Sequence, residues 1–163
     1  MAHKISKTLR RYNYLFGETG LVYHEMYLKL GLSDSAASIL YVLLENGDCC
    51  LLRDVCLFTG LNKQTINSAL RKLEAEDILY LEMAGGKKKL VRLTEKGKIL
   101  AERTAGRILA AEDEIFASWP RGDVEKYLEL TEAFMLALKE KAEGLAVSDE
   151  ARSRQPKSEA KRS

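Results

Sequence analysis

Six polar side chains within one short stretch hold most of the usable chemistry in this 163-residue chain: Lys63, Gln64, Thr65, Asn67, Ser68 and Arg71. A guanidinium can fork onto the two acceptors of guanine, and a carboxamide can bridge the donor and acceptor of adenine. Ammonium and hydroxyl groups suit phosphate oxygens. Further on, Lys87, Lys88 and Lys89 follow a Gly-Gly pair, as a cluster that could reach a phosphate backbone or a minor groove. Catalytic groupings are missing by comparison. The two histidines are His3 and His24, no serine or cysteine has a recognisable base partner, and the Gly-rich element has no strand-loop-helix phosphate cradle around it. We therefore expect a binding protein with no cofactor or metal, not an enzyme.

The elements that must carry these groups can be read from periodicity. Ile66, Ala69, Leu70 and Leu73 recur at the spacing of one buried helix face. Asn62 can cap that helix by accepting from its free first-turn amides, so the six polar groups point outward. Just before it, Leu51 to Phe58 reads as a helix stopped at Thr59-Gly60, where glycine takes a left-handed conformation. Two helices joined by a short turn form a helix-turn-helix, whose second helix can lie in a DNA major groove. After Glu76-Asp77 the period becomes strand-like. Ile78 to Met83, a turn at Ala84-Gly85-Gly86-Lys87 and Lys88 to Leu93 predict a hairpin, or wing, with the lysines at its tip.

The flanks read as support. Residues 4–30 predict a first helix rich in aromatics (Tyr12, Tyr14, Phe16, Tyr23, Tyr27), and Ser33 caps a second over Asp34 to Glu45. Asn46-Gly47-Asp48 is a turn, and Cys49-Cys50-Leu51 a very short strand pairing with the wing. Beyond the wing, Thr94 caps a helix over Glu95 to Ala117, interrupted at Gly106 and ending before Trp119-Pro120. A last helix spans Asp123 to about Glu143 and stops at Gly144. The fold class is mainly α: a winged helix-turn-helix with a two-stranded wing between N- and C-terminal helices. Residues 1–147 form one domain, with the DNA-binding core at 33–94 and dimerisation helices at 4–31 and 95–143. Residues 148–163 are a disordered basic tail. Too little chain remains to cover the apolar stripes of the terminal helices, so a second copy is expected against them.

The net charge of +2 is unevenly spread. Residues 62–98 carry +4, whereas residues 12–61 and 101–147 each carry −4. A basic segment between acidic ones, coinciding with a helix-turn-helix and a wing, points to double-stranded DNA as the partner. The apolar runs fall far short of a membrane span and the first residues lack a signal-peptide core, so a cytoplasmic protein is expected. Cys49, Cys50 and Cys56 are expected to be free thiols in a reducing compartment.

The stretches GLSDSAASILYVLLENGDCCLLRDVCLFTGLNKQTINSALRKLEAEDILYL and KLVRLTEKGKIL resemble the multiple-antibiotic-resistance regulator (MarR) family of winged-helix transcription factors. The register runs without a gap outside the wing, over roughly residues 5–143 by order and spacing of elements. The resemblance implies a cytoplasmic homodimer, a transcriptional repressor on a palindromic operator, and release of DNA when a small, often phenolic, effector or an oxidant shifts the two reading heads. It places base-reading on Lys63, Gln64, Thr65, Asn67, Ser68 and Arg71. Three departures matter. Asp77 stands where such proteins often have glycine, the wing carries GGKKK instead of an acid-arginine-acid motif, and the first helix has tyrosines but no cysteine. For an effector, Tyr23, His24 and Tyr27 are the candidate ligand-binding residues, since His24 could hydrogen-bond a phenol or carboxylate, although a histidine on a helix is more often a surface group. Two alternatives compete: an interaction adaptor without sequence-specific DNA binding, and a redox-responsive regulator using Cys49, Cys50 or Cys56.

Overall fold

The computed structural model describes residues 4–86 and 88–153. Its elements run α1 (Lys7–Lys29), α2 (Asp34–Glu45), β1 (Cys49–Leu51), α3 (Leu52–Thr59), α4 (Lys63–Ala75), β2 (Leu79–Met83), β3 (Lys89–Leu93), α5 (Glu95–Arg103), α6 (Ala105–Ser118) and α7 (Arg121–Ser153). The chain divides into two compact units, Met1–Asp113 and Glu114–Ser163.

The first unit is built on α2. Its near-continuous apolar sequence buries Ile39, Leu40 and Leu43 completely, and around it close Val55 of α3, Ile66, Leu70 and Leu73 of α4, and Leu79, Val91 and Leu93 of the sheet. Each buried aliphatic side chain of this kind contributes on the order of 1.5–3 kcal/mol. The sheet has three antiparallel strands in the order β1-β3-β2, with Val91 of β3 paired to Cys50 on one side and Leu81 on the other. The short strand at Cys49 therefore pairs with the wing as its sequence suggests, and Cys50 becomes a core residue.

Caps set the helix boundaries. Ser6 Oγ accepts from the amide of Leu9 at 3.0 Å, Asn62 Oδ1 from Thr65 at 2.9 Å and Thr94 Oγ1 from Gly97 at 2.9 Å. Gly60 ends α3 in the left-handed conformation at φ 64°. Asp77 performs the same turn between α4 and the wing at φ 57°, which a short polar side chain tolerates.

The end of the wing is fastened to the end of α4 by the segment Thr94 to Gly97. The Thr94 amide donates to the Ile78 carbonyl at 3.0 Å, and its hydroxyl to the Asp77 carbonyl at 2.7 Å. Lys96 Nζ donates to the Glu76 carbonyl at 2.6 Å. Gly97 is buried here because a methyl group on it would stand 1.8 Å from the Ile78 carbonyl oxygen.

Three expectations about the C-terminal half are corrected. The break between α5 and α6 falls at Thr104, whose backbone leaves the helical region, and not at Gly106. Gly106 lies inside α6, where a side chain would crowd Glu102 and Leu44, so it serves close packing. The last helix does not stop at Gly144 but continues to Ser153. A helical glycine costs only about 1 kcal/mol relative to alanine, and without a left-handed turn it does not end the helix. The expected disordered tail at 148–163 is therefore helical as far as Ser153, and its remainder, residues 154–163, lies outside the described residues.

In the second unit, Trp119 packs edge-on to Tyr127 at 5.5 Å between ring centres and to Phe116 at 5.7 Å. The Pro120 carbonyl accepts from Asp123 at 2.9 Å, starting α7 just after the proline. No single helix among the described residues is long and apolar enough to cross a membrane.

Replacing Gly97 by alanine should destabilise the protein by about 3 kcal/mol, at the upper end for overpacking, because the added methyl meets backbone and not a yielding side chain. Urea unfolding of Gly97→Ala beside Gly106→Ala measures this. The latter should cost less, since the atoms it meets belong to the side chains of Glu102 and Leu44 at 3.0 Å and 3.3 Å.

Candidate functional site

The outward face of α4 is organised in stripes one helical turn apart. Lys63, Asn67 and Arg71 lie at i, i+4 and i+8, and Gln64 and Ser68 form the neighbouring row. Lys63, Gln64, Ser68 and Arg71 are exposed, while Thr65 and Asn67 are half-buried at the helix flanks. The opposite face is anchored by Ile66, Ala69, Leu70 and Leu73, all buried, so the polar stripes cannot roll inward without emptying the core.

The two rows open onto different clefts. Lys63 and Asn67 line a groove of about 460 Å³ with Lys88 and Lys89 of the wing and Arg53 and Cys56 of α3, floored by Leu51 and Leu52. Gln64, Thr65 and Ser68, with Lys72, line a second cleft of about 460 Å³ against Ser33 and Ser35 at the start of α2. Arg71 lines neither and stands on the exposed ridge. Of the wing lysines, Lys88 and Lys89 join the groove and Lys87 lies outside the described residues.

Arg53 is the member of this basic groove that sequence reasoning overlooks. Its side chain is 79% exposed and its Nε sits 2.9 Å from Asp54. Position gives a signal after the fact: it is the second residue of α3, next to the strand that pairs with the wing. Arg92, by contrast, is tied across the hairpin to Glu82 at 3.0 Å. That hydrogen bond, with lesser Coulombic help from Cys49 and Glu82, holds its guanidinium still more firmly charged than usual. The arginine of this wing braces its strands, and the tip offers lysine only.

The wing tip follows from the glycines. Gly85 and Gly86 adopt φ 92° and 58°, and the Ala84 amide donates to the Lys88 carbonyl at 2.9 Å. Positive φ at two successive positions is what glycine supplies without a Cβ penalty.

The three cysteines are free thiols. Burial, then the nearby Asp54 carboxylate, pushes the Cys50 thiol up, which disfavours the reactive thiolate. Among the described residues no group of His, Cys, Asp and Glu is arranged to hold a metal ion.

The candidate ligand residues separate. Tyr23 and Tyr27 line a cavity of about 200 Å³ between α1, α2, α3 and α6, with Tyr41, Phe58 and Glu112 among its other walls. His24 does not line it. Its Nδ1 lies 2.7 Å from Asp34 Oδ1, in an exposed pair. Glu112 is the centre of this cavity: one carboxylate oxygen accepts from the Tyr23 hydroxyl, the other from Tyr41 at 2.5 Å. Burial, followed by the hydrogen bond to Glu112, pushes the Tyr41 phenol well above the ordinary tyrosine value. Tyr27 moves the same way, through burial first and then Glu112 and Asp34. Glu112 and Tyr41 are far apart in the chain, and the one sequence signal is a carboxylate on the face of α6 that buries Ala105 and Ile108.

A phenol with a raised folded value contributes stability that is intact below the unfolded value of about 10 and is lost as pH climbs above it. The urea midpoint should therefore fall between pH 9 and pH ~10.5. The fall should be shallower in Tyr41→Phe, which removes the most displaced phenol.

Comparison with known proteins places this arrangement. Residues 30–90 match a MarR family model. Among solved structures, the fold resembles a MarR family regulator from Neisseria meningitidis (TM-score 0.75, 17% identity, 85% of this chain and 99% of that one). It also resembles S. aureus MepR in its DNA-binding conformation (0.68, 19%, 78% and 98%), and NadR in complex with 4-hydroxyphenylacetate (0.63, 16%, 84% and 96%). A comparison with curated proteins gives no match. Residues 30–90 thus match the MarR family model, and over most of its length the chain has the fold seen in solved MarR family regulators.

Proposed function

We propose that this protein is a dimeric, ligand-responsive repressor that binds a palindromic DNA operator. The observation that carries the reading is one basic surface formed from three elements. Arg53 of α3, Lys63 and Asn67 of α4, and Lys88 and Lys89 at the wing converge on a single groove, beside a ridge bearing Arg71. On this reading α4 enters the major groove, where Arg71, Asn67 and Gln64 read base edges. The wing lysines and Arg53 hold flanking phosphates, and contribute affinity with little sequence preference. The wing has no arginine free for the minor groove, because Arg92 is engaged by Glu82.

The terminal helices support a dimer. Helix α1 has no buried residue along its whole length, and it exposes Leu9, Tyr12, Leu15 and Phe16, while α7 exposes Tyr127, Leu128, Phe134 and Leu138. Apolar area on this scale is covered in stable proteins, and a two-fold copy covers it with the same residues on both sides. Such a dimer presents two α4 helices to half-sites about one turn of DNA, roughly 34–36 Å, apart. The NadR complex with 4-hydroxyphenylacetate supports a small-molecule effector, and the cavity beside Tyr23 and Tyr27 is the candidate place for it.

Selection of bound duplexes from a random pool, followed by gel shift, tests the proposal. The selected sites should be palindromic, and absence of any binding at low salt would remove the reading. Arg71→Ala should weaken the selected site by about 1–3 kcal/mol and relax one position in each half. Arg53→Ala and Lys89→Ala should weaken all sequences alike and lower the salt slope by about one each per half-site.

A further inference from the structure

The cavity beneath α1 has an electrostatic character that its tyrosines alone do not convey. Glu112 stands in its wall with both carboxylate oxygens receiving phenol hydrogen bonds, from Tyr23 and Tyr41. No lysine, arginine or histidine is among the described residues lining the cavity. The nearest histidine in sequence, His24, faces Asp34 instead. Two further carboxylates act on phenols of this cavity: Asp34 on Tyr27 and Glu45 on Tyr41. Four aromatic side chains, Tyr23, Tyr27, Tyr41 and Phe58, share the remaining walls with Ser38, Val42 and Thr59. Tyr41, Val42 and Phe58 also wall an adjoining cavity of about 470 Å³ that reaches Glu45 and Asn46. Space for an apolar body thus continues from the charged end.

We infer that this cavity takes a small organic cation, a primary or quaternary ammonium carried on an aromatic or aliphatic body, and discriminates against the aromatic carboxylates that its tyrosines would otherwise suit. An ammonium gains from ring faces and from a carboxylate in one desolvated place. A carboxylate ligand would meet Glu112 with no cation to offset the repulsion. The inference rests on the reading that a small molecule binds beside Tyr23 and Tyr27, and narrows its chemistry.

Two probes of nearly equal shape and opposite charge separate the possibilities: tyramine and 4-hydroxyphenylacetate. Both are titrated calorimetrically into the full-length protein, with a parallel titration of the DNA complex. Tyramine should bind more tightly than 4-hydroxyphenylacetate, and Glu112→Gln should weaken tyramine by about tenfold or more while narrowing the gap between the two. The glutamine oxygen can still accept from one phenol, and circular dichroism shows whether the variant is folded. If it is not, Ser38→Lys places a cation in the same cavity and should reverse the preference. Tighter binding of 4-hydroxyphenylacetate to the unmodified protein, equal tyramine affinity in the folded Glu112→Gln variant, or no binding of tyramine at all would overturn the inference. Release of DNA by 4-hydroxyphenylacetate would overturn it while leaving the effector-responsive reading intact. Binding of tyramine without any effect on DNA would do the opposite.

Discussion

The contact between Gly97 and the Ile78 carbonyl is the constraint on which the reading surface depends. It leaves no room for a side chain, and it sits inside a ring of hydrogen bonds from Thr94 and Lys96 to the carbonyls of residues 76–78. Those carbonyls belong to the turn where α4 ends and β2 begins. A turn with Asp77 at positive φ would otherwise be a weak joint between helix and hairpin. Clamped from the far end of β3, it fixes the wing relative to the recognition helix, and only then can Lys88 and Lys89 share a groove with Lys63 and Asn67. The sequence Leu93-Thr94-Glu95-Lys96-Gly97 looks remote from DNA, yet it sets the distance between the two basic contacts.

Local signals in the sequence were strong where one residue determines one geometry. Asn62 capping α4, Gly60 ending α3 and Gly85-Gly86 turning the wing all do in the structure what their chemistry suggests. The face of α4 was legible because its period is unbroken over Ile66, Ala69, Leu70 and Leu73. Glycines inside helices were less informative. Gly106 and Gly144 both read as interruptions, and both lie within helices, because a missing Cβ signals close packing or nothing as readily as a stop. Residues brought together by tertiary packing left little trace. Glu112 and Tyr41 meet only because α2 and α6 cross, and Arg53 joins the wing lysines only because β1 pairs with β3.

Charge is used here in two opposite senses within a small distance. Around α3, α4 and the wing, cations gather on exposed surface where water and counter-ions keep them inexpensive until a polyanion displaces those ions. Under α1, two phenol hydroxyls donate to one half-buried carboxylate, and burial makes the phenols of Tyr27 and Tyr41 resist ionisation. The first arrangement favours long-range attraction and salt sensitivity. The second acts at contact and is screened far less.

The pairing of β1 with β3 also divides the wing into two mechanical regimes. From Leu79 to Met83 and from Lys89 to Leu93 the hairpin is held in register, and β1 adds a second ladder along Leu90, Val91 and Arg92. Past Met83 and Lys89 the ladder ends, and among the described residues the tip is closed by backbone bonds from the Ala84 amide to the Lys88 carbonyl and from the Lys88 amide to the Gly85 carbonyl. The reach of the hairpin is therefore separable from its foundation. Loop-closure entropy rises by only about 0.6 kcal/mol for each doubling of length, so residues can be gained or lost around Gly85-Gly86 with little effect on the core. A lineage of such proteins could change how far its wings extend along the duplex while its recognition helices stay fixed.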